Sequence, residues 1–310
     1  MQTRTDENAL AGELSISHER AIARRYIGRI QWEMILWGLG QLALWLTVLV
    51  LGIRGDIPLW LGFPIATFCC AFAYLPSHEA QHGNIAGHRE NLRWLNDLVG
   101  HASLLNLGYP YGYLRATHMQ HHAFTNEPEL DPDYHYMTEY WWQAALEAHR
   151  EPNREVLERH LANNPVFERD LTNGVLARKL MTLVQLVCAV IWPLPVFFLW
   201  WLPQKLGISY TVVFLSWRPH QPARETSRYR NAKIWLPRVL PRYLVQSMTH
   251  HAIHHLYPRI PHWSQPAALR ELRPFIEARG MAGAELLADY PYGPRAEAAS
   301  EPERAPHPGS

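Results

Sequence analysis

The chain contains 310 residues, of which 48% are hydrophobic, and its formal net charge at pH 7 is +1. This near-neutral charge excludes a bulk basic surface for nucleic acid, so no nucleic-acid partner is expected. The three cysteines lie in apolar runs, which excludes a disulfide framework and also an internal iron–sulfur domain, because such a domain needs about four thiolates.

The first elements predicted along the chain are two membrane-spanning helices. Residues 1–31 are polar and end in several arginines, and an uncharged run of residues 34–53 follows them. A second uncharged run covers residues 57–75, after the polar turn Arg54-Gly55-Asp56. About twenty apolar residues are enough to cross a bilayer as a helix. The two runs therefore predict a transmembrane hairpin, and the arginines before it predict a cytoplasmic N-terminus.

A second hairpin is predicted after a mixed, polar stretch of residues 88–179. Residues 180–202 form a third apolar run, and residues 203–217 form a shorter fourth run that begins with a turn at Gln204-Lys205. Two hairpins return the chain to the cytoplasm each time. The predicted fold class is therefore an all-α integral membrane protein, with four transmembrane helices in two hairpins and a cytoplasmic helical cap.

Three histidine motifs lie on the cytoplasmic side of this predicted topology. Positions i, i+3 and i+4 of a helix lie on one face, so each motif is expected to direct its imidazoles to a single point. Eight such imidazoles are too many for one metal ion and suit two, and imidazole-rich sites favour iron, copper or zinc. These histidines are His78, His82, His118, His121, His122, His251, His254 and His255. The cap is thus predicted to hold a metal site.

Carboxylates and a further histidine accompany these motifs. An acidic stretch directly follows the second motif, so Asp131 or Asp133 is predicted to orient a histidine ligand by hydrogen bonding. Glu79, inside the first motif, is a third candidate for that supporting role. His220 follows the fourth apolar run on the same side and is the candidate ninth ligand. The competing candidates are His88 and His101, and His250 is an alternative to His251 if that helix is rotated.

The three motifs, His-x-x-x-His, His-x-x-His-His and His-x-x-His-His, interleaved with two apolar hairpins, resemble the membrane fatty acid desaturase superfamily over about residues 30–275. The sequences of residues 118–133 and 251–261 are similar to its bacterial branch, which holds acyl desaturases and carotenoid-ring hydroxylases. Residues 217–222 are also similar to the carotenoid hydroxylases. The motifs are specific for the superfamily and say little about the substrate.

This resemblance implies that the eight motif histidines hold two iron ions as Fe²⁺, with O2 as co-substrate. It also implies that His220 is a further ligand, although the asparagine that some members carry just before it is absent from residues 215–219. The implied activity is oxidation of an unactivated C–H bond of a lipid chain, by a fatty acyl desaturase. A carotenoid β-ring hydroxylase or ketolase is the alternative.

The resemblance and the apolar runs together predict the organisation of the chain. Residues 1–31 are a cytoplasmic segment, residues 32–275 a desaturase-like membrane domain, and residues 276–310 a C-terminal segment with a disordered tail. A multi-pass protein of the bacterial inner membrane, with both termini cytoplasmic, is expected. We find no Gly-rich dinucleotide fingerprint, so the electrons are expected from an external ferredoxin, rubredoxin or cytochrome-type donor with its reductase.

Two rival interpretations remain open from the residues alone. The first motif also satisfies His-Glu-x-x-His, in which Glu79 would be the general base of a zinc membrane protease. That interpretation leaves the other two motifs unexplained. A non-enzymatic metal-binding or transport protein is the second rival. Transporters usually place ionisable ligands inside the membrane, and the predicted spans contain almost none.

Overall fold

The computed structural model describes residues 14–161, 164–236 and 241–288, and these residues form helices and connecting segments without a β-strand. The all-helical prediction is therefore confirmed for the described residues, while the predicted disordered tail lies mostly outside them. The α-helices are α1 (Ile16–Arg24), α2 (Trp32–Arg54), α3 (Leu59–Phe72), α4 (Tyr74–Gln81), α5 (Trp94–Leu104), α6 (Tyr111–Phe124), α7 (Trp141–Glu147), α8 (Arg154–Leu161), α9 (Pro165–Ile191), α10 (Pro193–Val196), α11 (Leu202–Thr211), α12 (Arg218–His220), α13 (Arg242–Thr249), α14 (His251–Leu256) and α15 (Gln265–Ala278).

Three of the described helical stretches are long and apolar enough to cross a membrane. They are Trp32–Arg54, Leu59–Gln81 and Pro165–Ile191, with mean hydropathies of 2.0, 1.6 and 1.8. At about 1.5 Å per residue, even 23 residues exceed the hydrocarbon thickness of a bilayer. The first stretch ends at Gly55, whose φ of +77° is the left-handed conformation that closes many helices.

The second span extends further than the sequence predicts. The apolar run ends at residue 75, but the helical column continues through α4. The first histidine motif therefore lies at the end of this column. The column bends at Ala73 because Pro76, in the first turn of α4, has no N–H to give to α3. His78 therefore lies at the C-terminal end of this long helical stretch.

The second hairpin turns at a different place from the one predicted. The chain reverses at Trp192, where α9 ends with φ −131° and ψ 66°, and not at Gln204-Lys205. Pro193 explains this position, because a proline has no N–H to continue the helix and its ring pushes the preceding residue out of helical geometry. Gln204 and Lys205 instead lie inside α11. The predicted boundary between residues 202 and 203 is therefore wrong.

A continuous helical stretch of residues 193–220, here called the return helix, follows the turn. It joins α10, α11 and α12 through two π turns, Phe197–Trp201 and Val212–Trp217. The first π turn precedes Pro203, and a wider turn accommodates its missing N–H. The second π turn leads directly into α12, so it sets the direction in which His220 leaves the helix.

Two buried cores hold the motif-bearing helices in place. The central core lies between α2, α4, α5, α6 and the return helix, and Ile85, Val99 and Leu104 are completely enclosed in it. The other core joins α1 to α14 and α15. There the carboxylate of Glu19 accepts hydrogen bonds from the hydroxyls of Tyr229 and Tyr257, each at 2.8 Å. This contact ties the N-terminal helix to the segment that carries the third motif.

Candidate metal centre

The structure brings all nine predicted histidine ligands together, in two adjacent groups. In each group, one ring nitrogen of every member lies within 4.8 Å of those of the others. The five-histidine group consists of His78, His82, His118, His122 and His254. The four-histidine group consists of His121, His220, His251 and His255.

The motifs do not each point to a single position, contrary to the sequence expectation. Pairs at i and i+4 share a group: His118 and His122 in one, His251 and His255 in the other. The remaining histidine of each motif, His121 or His254, belongs to the other group. A helix turns about 100° per residue, so neighbouring residues face different directions while i and i+4 stay about 40° apart. The second and third motifs therefore serve both groups.

The ring nitrogens in the five-histidine group are close enough to share a cation. The Nε2 atoms of His82 and His118 are 3.0 Å apart, and those of His122 and His254 are 2.9 Å apart. The buried His78 has no hydrogen-bond partner at either ring nitrogen among the described residues. Neutral imidazoles carry a lone pair on one nitrogen, so nitrogens that converge in this way suit a bound metal ion.

The four-histidine group adds a hydrogen-bond partner behind each ring. The Nδ1 atom of His220 lies 2.8 Å from the Asn231 carbonyl oxygen, and that of His251 lies 3.2 Å from the Ser247 carbonyl oxygen. The Nδ1 atom of His255 lies 3.2 Å from the hydroxyl of Thr125. A partner at Nδ1 fixes the tautomer and directs Nε2 forward, as is usual for metal-ligating histidines. These residues therefore fit a second metal ion.

Asp131 is the partner of the fourth ring in this group. Its Oδ1 lies 2.8 Å from Nδ1 of His121, and its carboxylate also accepts the backbone N–H groups of Asn126 and Asp133. Burial disfavours protonation of His121, but the carboxylate outweighs burial and raises the pKa of His121 to about 9. A metal ion at Nε2 would replace the second proton, so the carboxylate that favours imidazolium also favours a metal-bound imidazole.

The other imidazoles are held neutral. Burial, together with the neighbouring histidines, lowers the pKa of each of four rings well below the usual value: His118, His122, His254 and His255. Only a neutral imidazole offers the lone pair that a metal ion needs. These four rings can therefore offer a lone pair to a cation at neutral pH.

The remaining predicted site residues take different positions. The carboxylate of Asp133 accepts a hydrogen bond from the hydroxyl of Ser216 at 3.1 Å and, among the described residues, none from a histidine ring. Glu79 is buried and accepts a hydrogen bond from the side-chain amide of Asn84 at 3.0 Å. Of the two proposed aspartates, Asp131 is thus the one beside a ring. The competing histidines, His88, His101 and His250, lie outside both groups.

An apolar cavity of about 80 Å³ lies beside the histidines. His118, His121 and His251 form one part of its wall, so both groups border it. The rest of the wall comes mainly from α6 and the return helix, with Tyr74, Leu107, Tyr109, Leu114, Thr117, Asp133, Tyr136, Ile208, Thr211, Val212, Leu215 and Ser216. Of these wall residues, sequence reasoning found only Asp133. Thr125 was also missed, although its place four residues after His121 indicated that it lies behind the second motif.

The chain belongs to the fatty acid desaturase family. The sequence model of the family, described as fatty acid desaturase, matches residues 55–283. This range is more than half of the chain and includes all nine histidines. Together with the three apolar helices, this membership identifies a membrane protein whose family consists of oxidoreductases. The predicted superfamily is thereby confirmed.

Individual relatives of the chain fall into two classes. A zeaxanthin 4-ketolase of Chlamydomonas reinhardtii is 31% identical over 110 residues, which are 30% of this chain and 24% of that protein. An sn-1 oleoyl-lipid 12-desaturase of Arthrospira platensis is 36% identical over 95 residues, which are 28% of this chain and 27% of that protein. The matches thus span about a quarter of each relative's length. No solved structure matches the chain.

Proposed function

We propose that this chain is an O2-dependent di-iron membrane oxidoreductase that desaturates a fatty acyl chain. The observation that carries the proposal is the pair of histidine groups bordering one apolar cavity. Family membership and the similarity to oleoyl-lipid desaturases support it. The ketolase relatives keep carotenoid oxidation as the alternative, because they match equally short parts of the chain.

The nine histidines would hold two Fe²⁺ ions, one in each group. When bound, these ions with O2 supply the oxidant that removes hydrogen from an unactivated C–H bond. The protein positions the substrate: a chain in the cavity lies beside His118 of one group and His121 and His251 of the other. Ile208 and Val212 of the return helix give the cavity an apolar wall that excludes water.

We also propose the predicted membrane arrangement, with the return helix as the fourth span. Its 28 residues, 193–220, reach about 40 Å at the usual rise, enough to cross a bilayer. The three motifs and His220 meet at one end of the long helices, which supports a cap on one side of the membrane. By the arginines of the N-terminal segment that side is cytoplasmic, with both termini there and residues 32–275 as the membrane domain.

The electrons would come from an external donor, of ferredoxin, rubredoxin or cytochrome type, with its reductase. Exposed arginines on the cap side suit an acidic donor, since opposite charges steer two proteins together. They are Arg89, Arg218 and Arg259.

Product analysis tests the proposal. The full chain is expressed with a ferredoxin and its reductase in two bacterial hosts, one with ordinary lipids and one that makes β-carotene. We expect an acyl lipid that has lost two hydrogen atoms, and we expect it to disappear with His121→Ala but to remain with His101→Ala. A carotenoid that gains oxygen, with the lipids unchanged, would instead establish the alternative. Purified protein that holds zinc and no iron would contradict both.

The variant Glu79→Gln separates the oxygenase from the zinc protease. Because the side chain of Glu79 bonds to Asn84 and to no ring of the five-histidine group, its amide analogue should retain desaturation within a few-fold. A general base of peptide hydrolysis cannot be replaced in this way. Loss of all activity with both irons retained would contradict this expectation and indicate that Glu79 acts as a general base.

A further inference from the structure

A lateral groove lies between α9 and the return helix. The helix α9 packs along α6 and against the turn at its own end, and only 6% of its apolar window is buried. One side-chain bridge crosses the gap, from Nε2 of Gln185 to Oε1 of Gln204 at 3.1 Å. The groove is lined by Tyr109, Arg178, Gln185, Trp201, Lys205 and Ile208, among others.

The groove and the cavity beside the histidines share two wall residues. Tyr109 and Ile208 line both spaces. Tyr109 and Ile208 therefore form the boundary between the two spaces, and a chain that passed between them from the groove would reach the histidines. The route has apolar walls with a few polar groups. This composition is typical of a ligand site and not of a packing defect.

Two cationic side chains line the groove at the same height. Arg178 lies thirteen residues before the hairpin end at Ile191 and Lys205 twelve residues after Pro193, so each is about 18–20 Å from the turn. The guanidinium of Arg178 lies over the ring of Tyr109, 4.8 Å from its centroid, and also pairs with Glu151.

Lys205 lacks such a partner. Its side chain is half-buried, and no carboxylate of the described residues lies within ion-pair distance of its Nζ. The nearest aromatic ring is that of Trp201, with its centroid 6.0 Å from Nζ. A half-buried ammonium group without a counter-ion is costly, and an anion in the groove would remove that cost.

We propose that the lateral groove binds an acyl chain that ends in an anionic group. Lys205 and Arg178 hold the anion, and the chain runs between Tyr109 and Ile208 into the cavity. This inference rests on the proposed function and narrows its substrate, because a neutral carotenoid would leave the ammonium group of Lys205 without a counter-ion. The anion is a carboxylate or a phosphate, from a free fatty acid or from a phospholipid head group.

The anchor sets the position of oxidation. From Tyr111, next to the shared wall, to His118 the helix α6 rises about 10 Å. An extended chain advances roughly 1.2 Å per bond, so about eight or more bonds separate the anion from the site of reaction. With myristate, palmitate and stearate, the new double bond should therefore keep its distance from the carboxyl end. A constant distance from the methyl end would overturn the inference.

Binding is tested independently of catalysis by quenching of tryptophan fluorescence. The purified full chain is titrated with dibrominated stearate and with its methyl ester, and in nanodiscs with phosphatidylglycerol and diacylglycerol that carry the same brominated chain. We expect one anionic probe to bind at least about tenfold more tightly than its neutral counterpart, as for a charge-assisted contact. Preference for the free acid or for phosphatidylglycerol identifies the source of the anion.

Three variants assign this preference to the groove. Lys205→Met should abolish it, while Lys205→Arg should retain it. Lys179→Met is the matched control, because Lys179 is the exposed neighbour of Arg178 and does not line the groove; it should bind like the parent chain. Equal binding of the anionic and neutral probes by the parent chain, or a preference that survives Lys205→Met, would overturn the inference.

The two proposals fail in different ways. Lys205-dependent binding without any oxidised product would leave the groove established and defeat the proposed function. An oxidised acyl product formed by a chain that binds acid and ester equally would do the reverse.

Discussion

The four-histidine group and the five-histidine group use the same kind of ligand, but different contacts hold their rings. Behind the four rings stand one carboxylate, one hydroxyl and two backbone carbonyls. In the five-histidine group, Nδ1 of His78 and Nδ1 of His254 have no hydrogen-bond partner among the described residues. One group is therefore oriented by hydrogen bonds, and the other mainly by close packing of buried rings.

This difference predicts unequal affinities for the two metal ions. Hydrogen bonds behind the rings reduce the reorganisation that accompanies binding, and a carboxylate behind a ring raises the basicity of the ligand. The five-histidine group has one more ligand but less support. When a chelator is added, we therefore expect iron to leave the five-histidine group before it leaves the four-histidine group.

Removal of a ligand is expected to have the largest effect. His220→Ala leaves three imidazoles in its group. The iron content should therefore fall from two ions to about one per chain, and the turnover rate should fall at least about 100-fold. His78→Ala removes a ligand from the five-histidine group, which has less hydrogen-bond support, so it should lose at least as much iron. Iron analysis of the purified variants measures both, with His101→Ala as control. Clearly better retention of iron by His78→Ala than by His220→Ala would contradict the comparison.

Loss of the carboxylate behind a ring is expected to have the next largest effect. Asp131→Asn keeps the shape of the side chain but removes the charge beside His121, so affinity for one of the two ions should fall by about 10–100-fold. Asp133→Asn is the matched control, because Asp133 bonds to Ser216 and to no ring. Competition with a chelator of known affinity measures both variants. Similar losses would show that overall charge matters and the hydrogen bond does not.

The smallest effect is expected at Thr125. The variant Thr125→Val keeps the branched shape and removes the hydroxyl beside Nδ1 of His255. A neutral hydrogen bond contributes about 0.5–1.5 kcal/mol, so affinity for the same ion should fall by roughly 2–10-fold. The same chelator competition detects this change. A loss as large as that of Asp131→Asn would mean that orientation of the ring, and not charge, determines the affinity.

The sequence was sufficient to predict the two apolar helices of the first hairpin and the histidines that lie together in the two groups. An uncharged run of about twenty residues has few alternatives to a membrane helix, and histidines at i and i+4 must share a helix face. It was insufficient for the second hairpin. There the apolar run continues through the actual turn at Trp192, and a polar pair at Gln204-Lys205 imitates a turn. Tertiary contacts, such as the 2.5 Å hydrogen bond from Gln204 to the carbonyl of Leu107, keep that pair helical.

Within the site, spacing along the chain determined which residues can act as ligands, because it depends only on the geometry of one helix. Only the tertiary structure decided how they divide into groups. That division depends on the rotation of α4, α6, α12 and α14 about their axes, and packing between helices sets these rotations. For the same reason, the choice of Asp131 over Asp133, the cavity and the groove beside Lys205 emerge only when segments far apart in sequence come together.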